Sequence, residues 1–201
     1  MPVPALAGVA LHHGLDGLAF AVAIPASLGG AVRMNAGAHG GQMSDVIEVT
    51  EVFRLERGTS ESIGPDAVGF AYRRTALPPD GVITAATVRL HPGDPAAIRE
   101  AMDEARRWRR ETQPIAEPNC GSVFTNPPEG HAAALIDAAG LKGARVGGAT
   151  VSEKHANFIV TEPGATAADV VALIDLVRDR VEDGTGIRLE PEVRVVGELA
   201  G

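Results

Sequence analysis

The residues best suited to chemistry fall into four groups. The first is Ile24 to Gly41, IPASLGGAVRMNAGAHGG, where Gly29, Gly30, Gly37, Gly40 and Gly41 surround Ser27 and Asn35. Glycine lacks Cβ, so backbone N–H groups there can approach a phosphate or flat ring and form an anion-binding nest. The spacing is neither a G-x-G-x-x-G fingerprint nor a Walker loop, and on composition alone a tight turn is the simpler reading. The second is Ser122 in Cys-Gly-Ser-Val-Phe. It lacks a neighbouring His and the G-x-S-x-G context of an acyl-transfer nucleophile, which leaves a turn serine or a proton donor. Adjacent Cys120 reads as a small buried hydrophobe. The third is Arg73, in AYRRTAL, with Glu192; an isolated pair of this kind contributes roughly 0–1 kcal/mol. The fourth is Ser152, Glu153, Lys154, His155 and Asn157, just ahead of an apolar run, where binding loops and solvated loops both occur. His12 and His13 are adjacent and would point apart in a strand; with no third ligand, no metal site is assigned.

Composition narrows the partners. The 201 residues carry 26 acids and 18 bases, a net charge of −8, which opposes attraction to nucleic acid or anionic membrane. Only Lys142 and Lys154 are lysines, so anion binding rests mainly on arginine, suited to bidentate grips. One Trp, one Tyr and five Phe do not make a base-stacking surface. A single cysteine fits a reducing cytoplasm, and Leu18 to Leu28 is too short and too broken by Pro25 to span a membrane.

Elements must position these groups. Residues 45–54 and 82–90 carry β-branched residues with partial alternation and read as strands. Asp94-Pro95 is an N-cap with proline at the first helical position, starting a helix to about 111. Pro114 and Pro118 then mark a domain boundary, giving domains 1–113 and 114–201. Beyond it come a short helix at 131–139 stopped by Gly140 and a strand at 156–161. A helix capped by Thr166 and Asp169 follows, ending at Gly184, and a last alternating strand spans 192–196.

Together the motifs GLDGLAFAVAIPASLGGAVRMNAGAHGG, YRRT, QPIAEPNCGSVFTNPPEG, LIDAAGLKGARVGGATVSEKHANFIV and PEVRVVGE, in this order from Gly14 to Glu198, resemble the MurB family of UDP-N-acetylenolpyruvoylglucosamine reductases. The resemblance implies an α+β chain: the second half of a MurB-like (PCMH-type) FAD-binding domain, then the C-terminal substrate-binding α/β domain. It implies a cytoplasmic flavoenzyme of peptidoglycan synthesis. NADPH would reduce FAD, and hydride would pass to the enolpyruvyl double bond of the UDP-sugar. Hydride addition to an α,β-unsaturated carboxylate leaves an enolate-like dianion that needs preorganised donors. By this likeness Arg73 would supply positive charge there, Glu192 would help stabilise the dianion, and Ser122 would protonate the α-carbon. Ile24, Pro25, Ala26, Ser27, Gly29, Gly30, Asn35, Ala36, Gly37 and Gly40 would line the flavin. Tyr72, Asn126, Lys154 and His155 would contact the UDP-sugar.

Ala26, His39, Thr75 and Thr112 depart from the family's usual glycine, tyrosine, serine and lysine. Nothing before Leu18 matches the family's N-terminal FAD-binding portion, and neither GGG nor GSN occurs. The sequence therefore reads as lacking that portion. Two alternatives stand beside the reductase: a non-catalytic UDP-sugar-binding or structural remnant that holds no FAD, and another flavoprotein oxidoreductase.

Overall fold

The apolar opening stretch is a helix, α1 (Val3–His12), with Pro2 as N-cap and Pro4 in its first turn, where a missing N–H breaks no helical bond. Val3, Ala7 and Ala10 recur at helical spacing on its buried face. His12 and His13 therefore close a helix and do not sit on a strand. The computed structural model describes residues 1–197, so Glu198 of the last motif lies outside the described residues. The chain divides into two compact units, Met1–Trp108 and a second from Arg109 onward.

In the first unit, β1 (Leu15–Asp16) leads into a 3-10 turn that buries Phe20, Ala21 and Val22. The glycine-rich stretch then forms a helix and a hairpin: α2 (Leu28–Arg33), β2 (Gly37–Ala38) and β3 (Gly41–Gln42). The helix starts because Ser27 Oγ accepts from the Gly30 N–H at 3.2 Å. Glycine serves packing here, since a Cβ on Gly29 would lie 3.2 Å from the Ile83 carbonyl oxygen. The two strands read from the sequence become β4 (Ile47–Arg54) and β6 (Gly81–Val88). Between them lie β5 (Thr59–Ile63) and α3 (Pro65–Val68), and the sheet order is β5-β4-β6, antiparallel. β7 (His91–Pro92) pairs with β1. Asp94 Oδ1 accepts from the Ala96 N–H at 3.0 Å, opening α4 (Pro95–Thr112), which buries Ile98, Met102 and Ala105.

The second unit is one antiparallel sheet with two helices. Its strands are β8 (Asn119–Ser122), β9 (Arg145–Val146), β10 (Ala149–Val151) and β11 (Phe158–Thr161), in the order β8-β11-β10-β9. α5 (Ala132–Ala138) ends before Gly140, at φ +69°, and α6 (Ala167–Thr185) opens on the Thr166/Asp169 capping box. α6 does not stop at Gly184, which lies within its last turn. Gly186 takes the left-handed conformation, φ +73°, and ends it. Leu173, Ile174, Val177 and Val181 of α6 pack with Val123, Phe124, Ile136, Val151, Ile159 and Leu189.

No strand forms over 192–196. Pro191 bridges Phe124 and the Glu192 N–H donates to the Val123 oxygen at 2.8 Å, after which Val195 and Val196 are exposed. Alternation without a neighbouring strand to continue the ladder does not make one. No described helix is long and apolar enough to cross a membrane.

Candidate functional site

Each unit builds one constellation. In the first, Ile24 to Ser27 lead into α2, and Met1, Pro2 and Pro4 meet Pro25, Ala26 and Ser27 around a cavity of about 340 Å³. Main-chain bonds fix this junction: the Val3 N–H donates to Ala26 O and the Leu28 N–H to Met1 O, both at 2.9 Å. Asn35 is buried at φ +41°, and its side chain is spent internally. Its Nδ2 donates to Gln42 Oε1 (3.1 Å) and Ala71 O (3.2 Å), and its Oδ1 accepts from the Ser44 N–H (2.9 Å). The main chain of this stretch is engaged as well: the Asn35 N–H donates to Val32 O at 3.1 Å, the Ala36 N–H to Ala31 O at 2.8 Å, and Ala36 O accepts from the Met43 N–H at 3.0 Å.

Arg73 sits at φ +55° in the turn closed by Ala71 and Arg74. Its guanidinium donates to Gly37 O at 3.0 Å and Asn35 O at 3.5 Å, and lies 5.0 Å from the Tyr72 ring centroid. The structure thus joins Arg73 to two of the residues read as flavin contacts, Asn35 and Gly37. Tyr72 itself is exposed. Gly40, φ +80°, has open space where a Cβ would point, whereas a Cβ on Gly41 would fall 2.7 Å from the Phe20 ring.

In the second unit, Ser122 ends β8 with its side chain exposed, one residue after Gly121 at φ +84°. Its segment is clamped by Asn157, which is buried. Asn157 Oδ1 accepts from the Phe124 N–H at 2.9 Å, its Nδ2 donates to Phe124 O at 2.8 Å, and its carbonyl accepts from the Val123 N–H at 2.9 Å. The side-chain amide imitates a strand partner. On the other side, Glu192 donates its main-chain N–H to Val123 O, so the Glu192 backbone is bound one residue from Ser122.

His155 stacks edge-on against Phe158, 4.7 Å between centroids, and its Nδ1 accepts from the Asn157 N–H at 3.3 Å. Burial pushes its pKa below the ordinary imidazole value, which leaves a neutral ring with Nε2 as donor. Asn126 Oδ1 accepts from the Ala132 N–H at 3.0 Å, and Lys154 Nζ donates to Arg110 O at 2.5 Å. The ammonium thus meets a carbonyl in the last turn of a helix, where cations are favoured.

Sequence reasoning missed several supports. Arg33 donates to the carbonyls of Leu77 and Pro78, each at 3.0 Å, and to Gly81, while Thr75 Oγ1 donates to Arg33 O at 3.0 Å. These partners lie over forty residues away, and no local pattern announces them. Asn157 stood in the polar cluster, yet its role as a clamp was not read. Cys120 is exposed, not buried; local desolvation raises its thiol pKa, consistent with an unreactive group. Among the described residues no cluster of His, Cys, Asp or Glu could hold a metal.

Residues 113–196 match the family model described as the UDP-N-acetylenolpyruvoylglucosamine reductase C-terminal domain. A protein of that reductase name from Anaeromyxobacter dehalogenans strain 2CP-1 is 50% identical over 98% of this chain and 60% of its own length. The reductase 2 of Symbiobacterium thermophilum is 50% identical over 97% of this chain and 63% of its own. The crystal structure of the Thermus caldophilus reductase (MurB) superposes with a TM-score of 0.86 at 39% identity, covering 96% of this chain and 69% of that one. The chain belongs to the UDP-N-acetylenolpyruvoylglucosamine reductase family.

It spans about 60% of the length of the curated relatives it matches. The similarity to the MurB relatives covers both units, since nearly the whole chain aligns. The α+β class and the MurB fold therefore hold for this chain.

Proposed function

We propose that this chain serves the reaction its relatives are named for: NADPH-dependent, FAD-mediated reduction of UDP-N-acetylglucosamine enolpyruvate to UDP-N-acetylmuramate, in cytoplasmic peptidoglycan-precursor synthesis. The observation that carries the reading is Ser122. Its hydroxyl is exposed at the end of β8, on a backbone fixed from both sides by Asn157 and Glu192, as a positioned proton donor requires.

The first unit has an open surface pocket beside Pro25, Ala26 and Ser27. Ile24 to Ser27, Gly29, Gly30, Asn35 to Gly37 and Gly40 would line the flavin. Bound FAD, reduced by NADPH, would supply the hydride. Arg73 would place positive charge at the substrate carboxylate, where the dianion develops. Glu192 would assist in stabilising that charge, and Ser122 would deliver a proton to the α-carbon. Asn126, Lys154, Tyr72 and the neutral His155 would contact the UDP-sugar, His155 through Nε2–H.

The match of residues 113–196 to the family's C-terminal domain supports a second reading, UDP-sugar binding without flavin. One experiment separates the two. The purified chain is titrated with FAD, passed through gel filtration, and assayed for both half-reactions alongside Ser122→Ala. The reductase reading expects retained flavin, NADPH-dependent flavin reduction nearly unchanged in Ser122→Ala, and product formation lost by orders of magnitude. Equal loss of both half-reactions would remove Ser122 as proton donor. UDP-sugar binding with no retained flavin would establish the second reading.

A further inference from the structure

We propose that Trp108 is a positioning residue for the β2–β3 hairpin, acting through the ring of His39. The inference rests on the reading of Asn35, Ala36, Gly37 and Gly40 as flavin contacts and names the group that holds the hairpin carrying Gly37 and Gly40.

The hairpin cannot hold itself. Each strand has two residues, Gly37–Ala38 and Gly41–Gln42, and a two-stranded hairpin is marginal alone. Its base is tied down by Arg73 to Gly37 O, by Asn35 Nδ2 to Gln42 Oε1, and by Phe20 under Gly41. Its tip is His39-Gly40, with φ of +49° and +80°. Both central residues of such a two-residue turn take left-handed backbone, which a histidine adopts less readily than glycine.

The contact at the tip is the His39 ring meeting the Trp108 indole edge to face, 5.1 Å between centroids and 88° between planes. That geometry is favoured between aromatic rings. Trp108 is not placed for the core. Ile98, Met102 and Ala105 form the buried stripe of α4, whereas Trp108, the single tryptophan of the chain, stays 47% exposed at the end of that stripe. A ring held at the tip removes the freedom that flavin binding would otherwise have to quench, the effect of preorganisation.

FAD affinity is measured for the unaltered chain, His39→Ala, Trp108→Ala, the double variant, and the ring-preserving His39→Phe and Trp108→Phe. Each alanine change is expected to weaken FAD by roughly 3- to 10-fold. The double variant is expected to be no weaker than either single, and both phenylalanine variants to stay within about twofold of the unaltered chain, with thermal midpoints alike throughout. Additive losses, or no loss, would overturn the proposal. Should the unaltered chain retain no flavin, the flavin reading fails by itself and the pinning is read in the free protein. There His39→Ala shifts the Trp108 emission, and amide exchange at 37–42 quickens equally in both single variants and the double. Unchanged emission and exchange would overturn it.

Discussion

The two constellations are made by opposite means. Around Gly37 and Gly41 the backbone closes on itself where a Cβ would fall 2.8 Å from the Gly41 carbonyl and 2.7 Å from the Phe20 ring, and Arg73 reaches in to gather the Asn35 and Gly37 carbonyls. Around Ser122 the backbone is held by a side chain that imitates backbone, the Asn157 amide. One region depends on atoms that are missing and the other on atoms that are present. The first should be damaged by adding a methyl group and the second by taking one amide away.

The largest effect is expected at Asn157. Asn157→Ala strands the Phe124 N–H and C=O inside the second core and should cost about 3 kcal/mol in urea unfolding. A loss below about 1 kcal/mol would mean that water replaces the amide and that the clamp is not structural. Next is Gly41→Ala, where the methyl must displace the buried Phe20 ring. It should cost about 2 kcal/mol, against about 1 kcal/mol for Gly40→Ala, which meets only the penalty of its φ of +80° in open space. Equal costs at the two positions would break the contrast between close packing and backbone strain.

Thr50 sharpens the comparison by reversing the sign. It is fully buried in β4, and its hydroxyl has no hydrogen-bond partner, unlike the satisfied Asn157. Thr50→Val should therefore raise stability by about 1 kcal/mol in the same urea assay. Smallest is Asp169, whose carboxylate accepts from the Thr166 and Gly148 N–H groups. Those bonds hold its pKa below the usual carboxylate value. Its contribution is complete above the unfolded-state pKa and is lost as pH falls through the lower folded-state pKa. Asp169→Asn should thus lower the thermal midpoint at neutral pH and converge with the unaltered chain as pH falls, flattening the acid limb of the stability–pH profile, as followed by thermal melts between pH 7 and 3.

Where structure is local, the sequence announced it. Asp94-Pro95 and the Thr166/Asp169 box carry their caps within three residues, and α4 and α6 begin where those signals stand. Between Ile24 and Gly41, glycine count masked α2, because its helix depends on Ser27 as a cap and on close approach to Ile83, the second of which is not local. β5, TSESI, is too polar to read as a strand, and its pairing with β4 decides it. The reverse error at 192–196 has the same origin, since a strand exists only by virtue of its neighbour. For the candidate site, Ser122, Arg73 and Glu192 were named from ordered motifs. The supporting roles of Arg33, Thr75 and Asn157 were not legible, because their partners lie 33 to 48 residues away in sequence.

The sheet order of the first unit also bears on how the chain behaves in concentrated solution. β6 is its outermost strand on one side, and from Gly81 to Val88 it holds no charge and no proline, with Val82 exposed. Proteins usually blunt such margins with lysine, proline or a bulge that bends the strand away. β5, on the opposite side, carries Glu61 in a pair with Arg54, whereas β6 is interrupted only by two register shifts against β4 and by Arg33 on the Gly81 carbonyl. Eight uncharged, partly β-branched residues form a template on which further extended chain can add, so crowding is expected to bring self-association through this margin at temperatures where both cores remain intact.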